Sequence, residues 1–135
     1  LGSYRVQPPK APLSESDLQS VADQLQDALG PQLEFFRSTS LLFRSGDVLF
    51  CHAGIDPTVS LADQDEDALL WGRSDFVELG GVANLRVVHG HYDAPEVIST
   101  PSRICVDTGA YYTGRLSAVR LDHAERVIVA DALSK

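Results

Sequence analysis

Val48-Leu49-Phe50-Cys51-His52-Ala53-Gly54 runs four apolar residues straight into a histidine that is followed by two small residues. Val87-Val88-His89-Gly90-His91 repeats the arrangement further along the chain. Short apolar runs of this kind, rich in Val and Phe, read as strands. A histidine at a strand end is held by the sheet yet stands clear above it. A small neighbour lets the backbone come close to a bound ion or phosphate. Neutral imidazole is a ligand for zinc, iron and manganese. The plainer alternative is a pair of hydrogen-bonded structural histidines.

Working outward, Leu41-Leu42-Phe43 precedes the first run and is joined to it through Ser45-Gly46-Asp47, a hairpin signal. Upstream, residues 1–13 read as an extended lead-in, because Pro8, Pro9 and Pro12 oppose a helix. Ser14 is a helix N-cap, with Glu15 and Asp17 in the first turn. Leu18, Val21, Ala22, Leu25, Ala28 and Leu29 follow at helical spacing as one apolar stripe. Gly30 stops that helix and Pro31 opens a second short one, which gives a helical segment over 14–38.

Downstream, Ala68-Leu69-Leu70-Trp71 predicts a short helix after an acidic stretch, and Gly80-Gly81 a loop. Val97-Ile98, Ile104-Cys105-Val106, Leu116–Val119 and Arg126–Val129 read as further strands, with a turn at Asp122-His123-Ala124-Glu125. Asp107-Thr108-Gly109-Ala110-Tyr111-Tyr112-Thr113-Gly114 is a glycine-bearing loop whose hydroxyls could line a site. Helices first and many short strands afterwards, strand-rich over 41–131, predict an α/β sandwich half rather than a full βαβ series.

The 135 residues suit one domain, and 44% hydrophobic with 22% charged residues is a globular balance. A net charge of −8 argues against nucleic-acid binding, which needs excess Lys and Arg. It also means that any phosphate chemistry must gather positive charge locally, from metal ions or a few arginines such as Arg73. No apolar run reaches membrane-spanning length and no signal peptide opens the chain. Cys51 and Cys105, each within an apolar run, read as buried free thiols, which points to a reducing cytoplasm. The sequence has no methionine, so a fragment or processed piece is expected.

The order of Phe-Cys-His-Ala-Gly-Ile, Leu-Leu-Trp-Gly-Arg, Val-His-Gly-His and Arg-Ile-Cys-Val-Asp-Thr-Gly-Ala-Tyr-Tyr-Thr-Gly-Arg-Leu resembles the C-terminal half of bacterial phosphoprotein phosphatases. These belong to the calcineurin-like metallophosphoesterases, which also hold the symmetrical diadenosine tetraphosphatases. The resemblance covers about residues 41–121. It implies the C-terminal half of an α/β/β/α sandwich, so that residues 1–135 are a partial metallophosphoesterase domain. It also implies a function: hydrolysis of phosphate esters by a metal-activated water.

The resemblance implies His52 and His91 as metal ligands and Arg73 as the arginine that binds substrate phosphate. His89 and Asp107 are implied as supporting or pocket residues. Tyr111 or Tyr112 is placed near the site, the choice between them open. Two divalent ions, of manganese, iron or zinc, would serve the complete enzyme. The substrate would be a phosphorylated protein or a dinucleoside polyphosphate. Three departures stand out: Gly72 where a larger apolar residue is usual, Tyr92-Asp93 where Thr-Pro is common, and Cys105 where a polar residue is frequent.

The family's Gly-Asp-x-His-Gly, Gly-Asp-x-x-Asp-Arg-Gly and Gly-Asn-His-Glu motifs do not occur here. Their carboxylates and general acid are therefore expected upstream of Leu1, and the chain alone is expected to be inactive and to take up few ions or none. The strands at Val48–Cys51 and Leu85–Val88 are expected to lack cover, and the chain to form a homodimer. A protein-interaction module derived from a phosphatase half is the alternative. His89-x-His91-x-Asp93 also resembles the start of the metallo-β-lactamase motif, but Ala94 stands where the next histidine would be.

Overall fold

The computed structural model describes residues 2–9, 11, 14–79, 84–122 and 126–131. They form two compact units, Leu1–Ser40 and Leu41–Lys135. The expected Gly80-Gly81 loop and most of the turn at 122–125 lie outside the described residues.

In the first unit, α1 spans Glu15–Leu29 and α2 spans Pro31–Arg37. Ser14 caps α1 reciprocally with Asp17: Asp17 N donates to Ser14 Oγ at 3.2 Å, and Ser14 N donates to Asp17 Oδ2 at 3.1 Å. Gly30, at φ 49° and ψ −126°, takes a backbone conformation that favours glycine and ends α1, and Pro31 then supplies the fixed φ that starts α2. The lead-in departs from the extended reading. Gly2–Tyr4 make a 3-10 turn, closed by Arg5 N on Gly2 O at 3.0 Å. The apolar stripe of α1 exists, but no residue of the helix is buried, and Leu18 is 52% exposed.

The second unit holds β1 (Leu42–Ser45), β2 (Val48–Cys51), α3 (Glu66–Trp71), α4 (Ser74–Leu79) and β3 (Arg86–His89). These are followed by β4 (Ile98–Ser99), β5 (Arg103–Cys105), α5 (Ala110–Thr113), β6 (Arg115–Arg120) and β7 (Arg126–Asp131). Five strands make a mixed sheet in the order β1-β2-β3-β5-β4. The β1–β2 pair is the expected hairpin, with Ser45 opposite Val48 around Gly46-Asp47. β2, β3 and β5 are parallel, with Phe50 beside Val88 and Val88 beside Ile104. Among the described residues, β6 and β7 pair only with each other.

The parallel link from β2 to β3 runs through α3 and α4, a helical crossover of the βαβ kind. Leu49 and Val87 face it with Ile55, Leu69 and Phe76, all buried. This burial of whole apolar side chains is the main stabilising term of the unit. It also corrects the expectation that β2 and β3 lack cover. They are central strands, paired on both sides, and the open edges belong to β1, β4 and the β6–β7 hairpin. Among the described residues, no helix is long and apolar enough to cross a membrane.

Both cysteines are free. Burial pushes the Cys51 thiol up to about 11 and raises that of Cys105, whose Sγ donates to Tyr92 O at 3.1 Å. The thiolate is the reacting species. Neither cysteine should therefore be alkylated by iodoacetamide at pH 8 in the folded protein, and both should react in denaturant. Rapid native labelling of Cys51, read by mass spectrometry, would show that β2 is not covered as described.

Candidate functional site

Because β2, β3 and β5 are parallel, their C-terminal ends share one rim, the place where α/β sheets bind ligands. His52 follows β2, Gly90-His91 follows β3, and Asp107 lies just past β5. The ladder continues into the rim: Gly90 N donates to His52 O at 2.8 Å and Val106 N to His89 O at 2.9 Å. The His52 and His91 rings stand edge to face, with centroids 5.2 Å apart. The two histidines expected from different strands on one rim are thus brought together. His91 adopts φ 66°, a left-handed conformation that few residues other than Gly and Asn take. Such backbone strain persists where surrounding structure enforces it.

Asp107 closes the third side. Its Oδ1 accepts from Gly109 N at 2.9 Å, and its side chain lies against Gly90 beside the His52 carbonyl. The loop carrying it is pinned by buried Thr108, whose Oγ1 donates to Arg115 O at 2.7 Å and is 2.9 Å from Ser117 Oγ.

His89 stands apart from the other two histidines. It is buried, with Nδ1 2.9 Å from Gly90 O and Nε2 3.3 Å from Arg103 Nη1. A carbonyl only accepts and a guanidinium only donates, so the ring is neutral with its proton on Nδ1. Burial holds its pKa below the usual histidine value, with the Arg103 and His91 charges adding to that. Both ring nitrogens are occupied, which leaves His89 a bracing role under the rim.

Arg73 is half exposed, and its guanidinium lies between two carboxylates: Nη1 is 3.5 Å from Asp56 Oδ2 and Nε is 3.6 Å from Asp75 Oδ1. The structure also separates the two tyrosines. Tyr112 donates a short hydrogen bond to Asp93 Oδ2, while Tyr111 is 95% exposed.

Sequence reasoning noted Tyr92 only as a departure and missed Asp56 and Asp75 as partners of Arg73. The Tyr92 ring packs edge-on against His91 at 5.1 Å, and its hydroxyl fills the space where a side chain at residue 72 would begin. A Cβ on Gly72 would lie 2.0 Å from that hydroxyl. Gly72 and Tyr92, noted in the sequence as separate departures, are therefore in direct contact. Together they set the end of α3 against the Tyr92 ring that packs on His91.

Zinc takes four ligands in structural sites and manganese up to six. Among the described residues no three His, Cys, Asp or Glu side chains are grouped to hold an ion. His52 and His91 are a pair of donors and no more, which does not fit a two-ion centre.

No protein-family model matches the sequence, and no curated protein does. A solved structure described as "Crystal structure of a putative diadenosine tetraphosphatase" superimposes with a TM-score of 0.61 at 16% sequence identity, over 82% of this chain. The fold is phosphatase-like. The match covers 63% of the other protein, so this chain spans less than two thirds of its length.

Proposed function

We propose that the chain is the C-terminal portion of a metallophosphoesterase domain, acting on phosphate esters with His52 and His91 as metal ligands and Arg73 as receptor for the phosphoryl oxygens. The observation that supports this most is the edge-to-face approach of His52 and His91 on the rim of the parallel strands. Arg73 offers a planar fork of donors suited to two phosphoryl oxygens. Asp107 and the neutral His89 hold the rim in shape. Divalent manganese, iron or zinc, where further donors complete a centre, would supply an activated water. The residues described here complete no such centre, so no hydrolytic step is assigned to them alone. A phosphorylated protein or a dinucleoside polyphosphate is the substrate in this reading, and the cytoplasm is the compartment in which its free thiols would persist.

The second reading, a non-catalytic protein-interaction module, is favoured by one observation. Among the described residues the β6–β7 hairpin pairs with no other strand, and Leu116, Val127, Ile128 and Val129 on it are exposed. Self-association of the chain through such an edge is the form this would take with a second copy.

Inorganic phosphate and diadenosine tetraphosphate separate the readings. The wild-type chain should bind phosphate weakly, as shown by chemical-shift changes at the backbone amides of Gly72 and Ser74, and Arg73→Ala should abolish the response. Turnover of diadenosine tetraphosphate with manganese should stay at the buffer rate. A phosphate response that is absent, or unchanged in Arg73→Ala, would overturn the phosphoesterase reading in favour of the module.

A further inference from the structure

Asp56 and Asp75 are built more firmly than ordinary surface partners of an arginine. Asp56 Oδ1 accepts both Thr58 N at 2.8 Å and Thr58 Oγ1 at 2.5 Å. The Asp56 backbone is held as well: its N–H donates to Gln64 Oε1 at 2.7 Å, and its carbonyl accepts from Gln64 Nε2 at 2.9 Å. The residue is thus fixed on three sides, and only Oδ2 is left, the atom that faces Arg73 Nη1. The Thr58 hydroxyl, more than any other cause, keeps the Asp56 carboxyl below the usual carboxylate range, so it stays charged. Asp75 Oδ1 is a buried oxygen that makes no hydrogen bond, and the cation facing it is Arg73 Nε. A buried carboxylate oxygen without a hydrogen bond is costly unless a charge compensates it.

We propose that Asp56 and Asp75 are positioning residues that orient the Arg73 guanidinium from two sides and leave its Nη2 edge to receive phosphoryl oxygens. This rests on the reading of Arg73 as the phosphate receptor. At 3.5 and 3.6 Å both contacts are longer than a charge-assisted hydrogen bond, which runs about 2.7–2.9 Å. The carboxylates therefore aim the group without consuming its donors, and Nη2 bonds to nothing among the described residues. A long flexible side chain loses rotamer freedom when it binds an anion, and a guanidinium held in place beforehand loses less. Asp56 and Asp75 touch no substrate in this scheme; they act through Arg73.

The test is a titration with inorganic phosphate, followed at the Gly72 and Ser74 backbone amide signals, together with the order parameter of the Arg73 Nε–Hε group. Asp75→Asn should weaken phosphate binding about threefold, in line with a partly exposed ion pair, and should lower the order parameter. Asp75→Glu should restore both, and the thermal midpoint should hardly move. Asp56→Asn should act in the same direction, but it also disturbs the Thr58 turn, so Asp75 carries the decision. Phosphate binding as tight as wild type, or tighter, in Asp75→Asn would overturn the proposal, because the carboxylates would then be competing with the anion. Failure of Arg73 itself has a different signature: wild type and Arg73→Ala would respond alike, and the reading beneath the proposal would fall with it.

Discussion

Replacing Phe76 by alanine is expected to destabilise the second unit by about 3–5 kcal/mol. The ring is fully buried, lies directly on Gly54 and packs edge-on against His89 at 5.0 Å. Its loss would open a cavity between α4 and the sheet, at the base of the loop that follows His52. Gly54→Ala should be damaging from the other side of the same contact. A Cβ there would lie 2.3 Å from Phe76 Cδ1, and the residue has φ 111°, where L side chains are strained. In the Phe76→Ala background the steric part of the Gly54→Ala cost vanishes, and only the backbone part, about 1–3 kcal/mol, remains. The double variant should therefore be clearly more stable than the sum of the single losses implies. Urea denaturation followed by circular dichroism measures all three, and strict additivity would mean that the ring does not sit on Gly54.

The second large effect concerns ions. Zinc added to the wild-type chain is expected to bind once and weakly, and either His52→Ala or His91→Ala should abolish that binding. Two imidazoles whose centroids are 5.2 Å apart can approach one ion, for which zinc–nitrogen bonds are about 2.0–2.1 Å. With two protein donors the remaining positions fall to water, so the affinity stays far below that of a structural zinc site. Calorimetry gives stoichiometry and affinity, and imidazole nitrogen shifts identify the rings. His89 should keep its shifts throughout, because Gly90 and Arg103 already occupy both of its nitrogens. Tight uptake of two ions, or binding that survives in the His52→Ala/His91→Ala double variant, would sink the assignment.

What the sequence made legible was local. The Ser14 cap, the Gly30-Pro31 boundary and the Gly46-Asp47 turn each act within a few residues of themselves, and each was read correctly. The histidines at strand ends were readable because an apolar run stops at them. Ser74–Leu79 was missed as a helix: it is under two turns long, too short for its period to show, and is anchored by Phe76 alone as a buried residue. Ala110–Thr113 was taken as loop because Gly109 and Gly114 flank it. Both are left-handed, and they confine one helical turn rather than exclude it. Strand order was out of reach, since the placing of β5 beside β3 with β4 at the edge depends on non-local pairing. The Gly72–Tyr92 contact and the approach of Asp56 to Arg73 were invisible for the same reason, since each partner is unremarkable until the fold brings the other to it; Asp75, two residues from Arg73, was near in sequence but its side-chain direction was not legible.

That non-local pairing also has a consequence in time. The β1–β2 and β6–β7 hairpins link neighbours in the chain, and hairpins of this kind close in roughly 1–10 µs. Phe50 reaches Val88 only after the whole α3–α4 crossover has been gathered in, and Ile104 must then find Val88. The chain entropy of those closures is lost before any contact rewards it, so parallel pairing is the slow stage. His52 and His91 belong to the two sides of that late seam. In a stopped-flow refolding experiment, zinc should therefore find no paired imidazoles in the burst phase. Its capture should rise with the same rate constant as the final consolidation of the sheet.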